Sequence, residues 1–217
     1  MTQRTWYLVR HGETEWNAAR RMQGQNDSRL TPEGHLHAAQ SGELLARLGV
    51  DEMYASPLGR VRQSLTEIAA YVHLAHAPTF DDRLKEWSSG DWSGFLYSEV
   101  QERWPTEYAA WEADRHSVRS PNGENFIDLR ARAQAFLDDI AHSKAQRIAI
   151  VAHGFLNRAL AACLLDLAPA QTLEIRQPNN VVMRIRTGEG PPVADHFAGG
   201  QGPRPGLPQT APAGHVA

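Results

Sequence analysis

The runs "LVRHG" (Leu8 to Gly12) and "IVAHG" (Ile150 to Gly154) end alike: apolar residues lead into a histidine, and glycine follows. One such histidine is ordinarily a structural residue whose ring is satisfied by its neighbours. Two of them, His11 and His153, set in the same pattern far apart in the chain, point to chemistry instead. Imidazole serves as a nucleophile or a proton carrier near neutral pH. Glycine after it lets the backbone pass close to a ligand and leaves an amide at the start of a following helix, as Gly154 would. Arg10 beside His11 adds a planar, permanently charged fork suited to phosphate oxygens, and burying that charge without an anion is costly. The combination describes a pocket for an oxyanion.

The elements that must position these residues can be read around them. "TWYLVRHG" mixes β-branched, aromatic and aliphatic residues and stops at glycine, as a central strand does. A helix follows Thr31, with Pro32 in its first turn, Leu36, Ala39, Leu44, Leu45 and Leu48 at helical spacing, and Gly49 to close it. "VDEMYASP" reads as a short strand, followed by a helix over about 58–72. A long helix over about 124–142 precedes "RIAIVAHG", and "NNVVMRIRTG" and "PVADHFA" are late strands. Strands alternating with helices imply an α/β fold with a mainly parallel sheet covered on both faces. Ligands of such sheets bind beyond the carboxyl ends of the strands, the edge at which both His-Gly pairs fall. The expected organisation is one domain over 1–198, with a helical insertion over about 93–121 above that edge. Residues 199–217, rich in Gly and Pro, read as a disordered tail.

Composition narrows the function classes. At 217 residues the chain supports one sizeable core, and 41% hydrophobic with 22% charged residues places it among soluble globular proteins. A formal net charge of −3 gives no general attraction to nucleic acid or acidic membranes, so an anion site has to be built locally. The single cysteine, Cys163 in "LAACLLDL", excludes an intrachain disulfide and a thiolate metal cluster and reads as a buried helical thiol. No apolar run approaches the roughly 18 residues of a membrane span. The first strand begins too early to leave room for a signal peptide, which gives a cytoplasmic expectation. His35 and His37 lack metal-ligand spacing on a helix, and His73 and His76 sit where a helix ends, so no metal is expected. The sequence leaves the oligomeric state, monomer or dimer, open. The series Trp87, Trp92, Phe95, Trp104 and Trp111 reads equally as core of the insertion or as a wall for substrate.

"LVRHGETEWN" resembles the signature of the histidine phosphatase superfamily, the phosphoglycerate-mutase-like group. "ASPLGRVRQS" (Ala55 to Ser64), "LKEWSSGDWSG" (Leu84 to Gly94), "PNGEN" (Pro121 to Asn125) and "VAHG" follow in that family's order. The resemblance covers roughly 6–187 and implies a three-layer α/β/α sandwich, mostly parallel, with an antiparallel edge strand. It makes His11 the nucleophile that becomes phosphohistidine. It places Arg10, Arg60, His153 and Gly154 around the phosphoryl group and makes Glu86 the proton donor and acceptor. Asn17 and Gln23 match polar positions of the pocket, and Glu124 matches a supporting position. Phe155 stands where the family often has a second glycine, Val61 where alanine is frequent, and Asn125 where serine is common; Phe155 would narrow the pocket and alter substrate choice.

Such a set needs no metal or other cofactor. A phosphoryl transition state spreads negative charge over three equatorial oxygens, which two arginines and a histidine can stabilise. The resemblance implies a phosphomonoesterase for a small metabolite. The alternatives are a cofactor-dependent phosphoglycerate mutase, which uses the same phosphohistidine, and an inactive phosphate-binding regulator. Mutases of this group resemble longer chains with a more basic insertion; here Arg103, Arg115 and Arg119 are the insertion's candidates for that role.

Overall fold

The computed structural model describes residues 3–209. In chain order the strands are β1 (Arg4–Arg10), β2 (Glu52–Ala55), β3 (Thr79–Phe80), β4 (Arg147–Ala152), β5 (Val181–Thr187), β6 (Val193–Ala198) and β7 (Gln201–Pro205). They form one sheet in the order β3-β2-β4-β1-β5-β6-β7. The β1, β4, β2 and β3 strands pair in parallel, and β5, β6 and β7 add antiparallel strands beyond β1.

The helices are α1 (Glu15–Ala18), α2 (Pro32–Leu48), α3 (Gly59–Ala69), α4 (Tyr97–Arg103), α5 (Pro105–Ala113), α6 (Phe126–Asp139), α7 (Gly154–Leu165) and α8 (Pro169–Glu174). Period-2 alternation sends the residues of β1 into two cores. Trp6 and Leu8 pack with Leu129, Ala133 and Phe136 of α6 and with Leu156 and Leu160 of α7. Tyr7 and Val9 pack with Leu44 and Leu45 of α2 and with Val61, Leu65 and Ile68 of α3. Both faces being covered explains the unbroken apolar runs of β1 and β4, and the result is the three-layer α/β/α sandwich.

The caps follow the sequence. The Thr31 hydroxyl accepts from the Gly34 amide at 2.9 Å, and Gly49 ends α2 with φ of 78°. At the start of α6 the Asn125 side chain accepts from the Asp128 amide at 3.0 Å, so asparagine supplies the cap. Leu36, expected on the buried stripe of α2, is 56% exposed. The buried face is instead built from Gly34, Ala38, Ser41 and Gly42 with Leu44 and Leu45. Small residues are needed because α3 lies close: a Cβ on Gly42 would stand 3.0 Å from the Ile68 Cα.

The expected tail needs correction at its start. Gln201–Pro205 forms β7, antiparallel to β6, with His196 opposite Arg204 and Ala198 opposite Gln201. Gly199 and Gly200, at φ of 55° and 73°, make the turn between them. An edge strand tolerates proline because one row of its backbone groups faces solvent. The remainder of the expected tail, 210–217, lies outside the described residues. No helix among the described residues is long and apolar enough to cross a membrane.

Candidate active site

The sheet register brings the two histidines together. Arg10 of β1 lies opposite Ala152 of β4, so the next residues, His11 and His153, leave adjacent strands side by side. The His11 amide donates to the Ala152 carbonyl at 3.1 Å, and the ring centroids are 5.2 Å apart. The Gly12 amide donates to Ser64 Oγ at 3.0 Å, and Asn179 Nδ2 donates to the His11 carbonyl at 2.8 Å, fixing both polar groups of the peptide that follows His11. Gly12 is required for a reason other than ligand approach. A Cβ there would stand 2.0 Å from the Gly34 carbonyl oxygen, so this loop rests directly on the first turn of α2.

Hydrogen-bond partners settle the state of both rings. His11 Nδ1 is 2.7 Å from the Gly12 carbonyl, which only accepts, so Nδ1 carries the proton. His11 Nε2 faces Arg60 Nε at 3.2 Å, which only donates, so Nε2 presents its lone pair. Arg60 Nε also points at His153 Nδ1 at 3.2 Å, and His153 Nε2 donates to Ser56 Oγ at 2.7 Å. Burial, then the Arg60 and Arg10 charges, hold His11 well below the ordinary value of 6.5. Burial, then Arg60, does the same for His153.

Neither ring is therefore expected to take up a proton as pH passes through 6.5, while the unfolded chain does. This contribution to stability is full above 6.5 and is lost as pH falls towards the depressed folded values. An NMR titration checks it: the His11 and His153 ring signals should stay still as pH passes through 6.5. Midpoints near 6.5 for either would contradict the burial argument.

Arg60 is 1% exposed, and each of its three nitrogens has a partner. Besides the two rings it donates from one terminal nitrogen to the Asn26 carbonyl at 2.6 Å and Asp27 Oδ1 at 3.0 Å, and from the other to the Gly24 carbonyl at 2.8 Å. Asp27 also accepts from the Gly59 and Arg60 amides at 2.7 and 3.1 Å, capping α3 from outside the helix. Arg10 donates to the Gln177 carbonyl at 2.7 Å, while its buried Nε has no hydrogen-bond partner.

Glu86 reaches the same place from a loop. Its carboxylate accepts from the Trp87 amide at 2.9 Å and from the Phe155 and Leu156 amides of the first turn of α7 at 3.3 and 3.2 Å. Arg132 anchors that loop, donating to the carbonyls of Arg83, Lys85 and Glu86 at 2.6, 2.7 and 3.0 Å. Glu124 in turn holds Arg132 at 3.0 Å and accepts from the Ser88 amide at 2.8 Å. Glu124 therefore supports Glu86 from outside the cavity.

Arg10, His11, Asn17, Gln23, Arg60, Glu86, Gly154 and Phe155 line one cavity of about 670 Å³, with His153 directly behind Arg60. Gln23 is tied at both ends of its amide, donating to Thr14 Oγ1 at 2.8 Å and accepting from Ser28. Asn17 serves as partner in the cap of α1 while facing the cavity. The wall contains seven arginines against three glutamates, a local excess of positive charge in a net acidic chain. Trp92 and Trp111 are core, at 0% and 2% exposure; Trp87 stacks on Trp111 and is the one tryptophan of the series on the cavity wall.

Ser56, Ser64, Asp27, Gln177 and Asn179 were not singled out from the sequence. A signal existed for the last two: "RQPNN" directly precedes β5, which runs antiparallel to β1 and so starts near its carboxyl end. His35 pairs with Glu67 at 2.9 Å and His37 lies 3.2 Å from Glu33, away from this cavity.

The family model of the histidine phosphatase superfamily (branch 1) matches residues 6–198. Phosphoserine phosphatase 1 of Hydrogenobacter thermophilus is 30% identical over 191 residues, covering 82% of this chain and 90% of that protein. A Citrobacter koseri protein named "Probable phosphoglycerate mutase GpmB" is 35% identical over 183 residues, covering 82% and 83%. The α-ribazole phosphatase of Shigella flexneri shares the fold, with a TM-score of 0.79 at 23% identity over 87% of this chain and 93% of that one.

Proposed function

The chain belongs to the histidine phosphatase superfamily, and from that premise we propose that it is a metal-independent phosphomonoesterase in which a small phosphorylated metabolite passes its phosphoryl group to His11 and then to water. The observation that carries this reading is the state of His11. Its ring is buried at 3% exposure, oriented by the Gly12 carbonyl and neutral, with the Nε2 lone pair turned to Arg60 and the cavity. A neutral, aimed imidazole is what nucleophilic attack on phosphorus requires.

The steps balance as follows. His11 Nε2 attacks phosphorus in line, the bond to the ester oxygen breaks, and Glu86 gives that oxygen the proton it took up as the phosphate dianion bound beside it. Arg10 and Arg60 hold the charge on the equatorial oxygens. His153, neutral in the free protein, gains a proton when a phosphate dianion arrives beside it, because an adjacent negative charge favours the cation. Water then attacks the phosphohistidine, Glu86 takes its proton, the N–P bond breaks and inorganic phosphate leaves. The guanidinium charges perform the stabilisation that a metal ion would otherwise supply.

The mutase reading draws on the names of relatives such as the Citrobacter protein. The insertion favours hydrolysis. Of its three candidate arginines only Arg115 lines the cavity, and Glu112 pairs with it. Arg119 is bound to Asp128 at 2.6 Å, and Arg103 lies over the Phe95 ring at 4.5 Å. A panel of phosphomonoesters, assayed with and without 3-phosphoglycerate and after exhaustive EDTA treatment, separates the classes. Phosphate release that ignores EDTA and outpaces phosphoglycerate isomerisation is expected. Faster isomerisation would make the protein a mutase; no turnover would make it a binding protein. Activity lost to EDTA and restored by a divalent ion would overturn the metal-free mechanism.

Glu86→Gln separates proton transfer from a structural role. An alkoxide leaving group needs a proton as the bond breaks, and p-nitrophenolate hardly does. Pre-steady-state phosphorylation should therefore slow by about 10²-fold or more for an alkyl phosphate and far less for p-nitrophenyl phosphate. Equal slowing of both would argue against a general acid at this position.

A further inference from the structure

We propose that Arg158 forms a second anion site in the cavity, so that the best substrates are phosphomonoesters carrying a further carboxylate or phosphate group. The proposal rests on the phosphatase reading and adds the substrate class.

Arg158 shares with Arg10 a buried Nε that has no hydrogen-bond partner, but among the described residues only Arg10 of the two also donates to a carbonyl, that of Gln177. Arg158 is 9% exposed on α7 and lines the cavity. Among the described residues no ion pair neutralises it, whereas Arg60 has Asp27 and Arg115 has Glu112. Its guanidinium carbon lies 4.8 Å from the centre of the Phe155 ring, three residues earlier on the same helix. Helical side chains lean towards the N-terminus of their helix, which here aims the charge back towards the His11 end of the cavity. Phe155, found where the family often has glycine, acts as the platform for that cation.

The surroundings make an anion the missing partner. Burial and the nearby Arg176 and Arg10 charges push Arg158 down to about 10, so it stays charged at neutral pH while repelled by its neighbours. The opposing charge is Glu86, whose oxygens already accept from three backbone amides. A buried, hydrogen-bonding cation in that position is stabilised most by an acceptor-only group such as carboxylate or phosphate.

Position sets the scale of the ligand. Arg158 stands four residues beyond Gly154, about 6 Å along α7. One molecule with two anionic groups on a short skeleton spans that separation, and a cavity of about 670 Å³ leaves room for it beyond the phosphoryl group.

Matched substrate pairs test this. The carboxylate pair is 3-phosphoglycerate against glycerol 3-phosphate; the phosphate pair is 1,3-propanediol bisphosphate against 3-hydroxypropyl phosphate. Wild-type kcat/KM should favour the doubly anionic member of at least one pair by about 10- to 100-fold, and the favoured pair identifies the second group. Arg158→Met should lose at least tenfold more on that member than on the partner lacking the second anionic group, chiefly through KM, and Arg158→Lys should recover part of the loss. Wild-type protein that hydrolyses all four esters without charge preference would overturn the second site and leave the phosphatase reading standing. So would a Met variant that slows both members of a pair equally. Protein that hydrolyses none of them, nor p-nitrophenyl phosphate, would overturn both.

Discussion

Replacement of His11 by alanine should lower kcat by on the order of 10⁴–10⁶ and leave no saturable turnover above background, the loss expected when a nucleophile is removed. The size of the effect follows from the division of labour in the cavity. In the proposed mechanism Arg60, Arg10 and His153 stabilise charge, and Glu86 moves a proton, but none of them offers a neutral ring with its lone pair aimed into the cavity. His153 comes nearest in chemistry. Arg60 Nε faces both rings alike, but the Nε2 of His153 is bound to Ser56, and His153, unlike His11, is not part of the cavity wall. The fold should survive the change, because His11 lies at the open end of the sheet and the loop stays fixed by Ser64 and Asn179. A folded His11→Ala protein that retains more than about one part in a hundred of kcat would remove His11 from the nucleophile's place.

The second large effect is expected at Arg60. Arg60→Ala should cost about 10²–10³ in kcat/KM, roughly 3–4 kcal/mol of transition-state stabilisation, comparable to the loss of an oxyanion donor. The guanidinium connects five groups: both histidine rings, the Gly24 and Asn26 carbonyls, and Asp27. Lysine restores a charge but not the flat five-donor fork, so Arg60→Lys should recover little. Because alanine also leaves the buried Gly24 carbonyl and the part-buried Asn26 carbonyl without this donor, the melting temperature should fall as well. The lysine variant, compared at equal folded fraction, separates the two effects. A loss of tenfold or less in a folded Arg60→Lys protein would take Arg60 out of contact with the phosphoryl group.

Parts of this site were legible in the chain because strand periodicity reports on burial. Two apolar runs that stop at His-Gly marked β1 and β4, and parallel pairing of neighbouring strands was enough to bring His11 and His153 together. Helix ends at Thr31 and Gly49 were equally readable, since capping is chemistry local to a few residues. Other parts carried no local signal. Glu86 sits on an irregular loop held by Arg132 and Glu124 from elsewhere in the chain, so resemblance to the family, not periodicity, drew attention to it. Leu36 fitted a helical stripe, yet close approach of α3 selected glycine, alanine and serine for the buried face. The β7 strand was hidden by glycine and proline, whose composition describes a coil until an unpaired edge on β6 offers it partners. Arg158 was not singled out from the sequence; burial beside Phe155 and Arg176 gives it meaning.

The central claim is that the phosphoryl group is carried by His11, and trapping the covalent intermediate tests it most directly. Protein mixed with a fast phosphomonoester, quenched in alkali within milliseconds and digested, should yield one phosphorylated peptide by mass spectrometry. The phosphate should map to His11, be lost on mild acid treatment as a phosphoramidate is, and vanish in the His11→Ala protein. Phosphate found on His153, or an acid-stable phosphoester on a serine, would contradict the account.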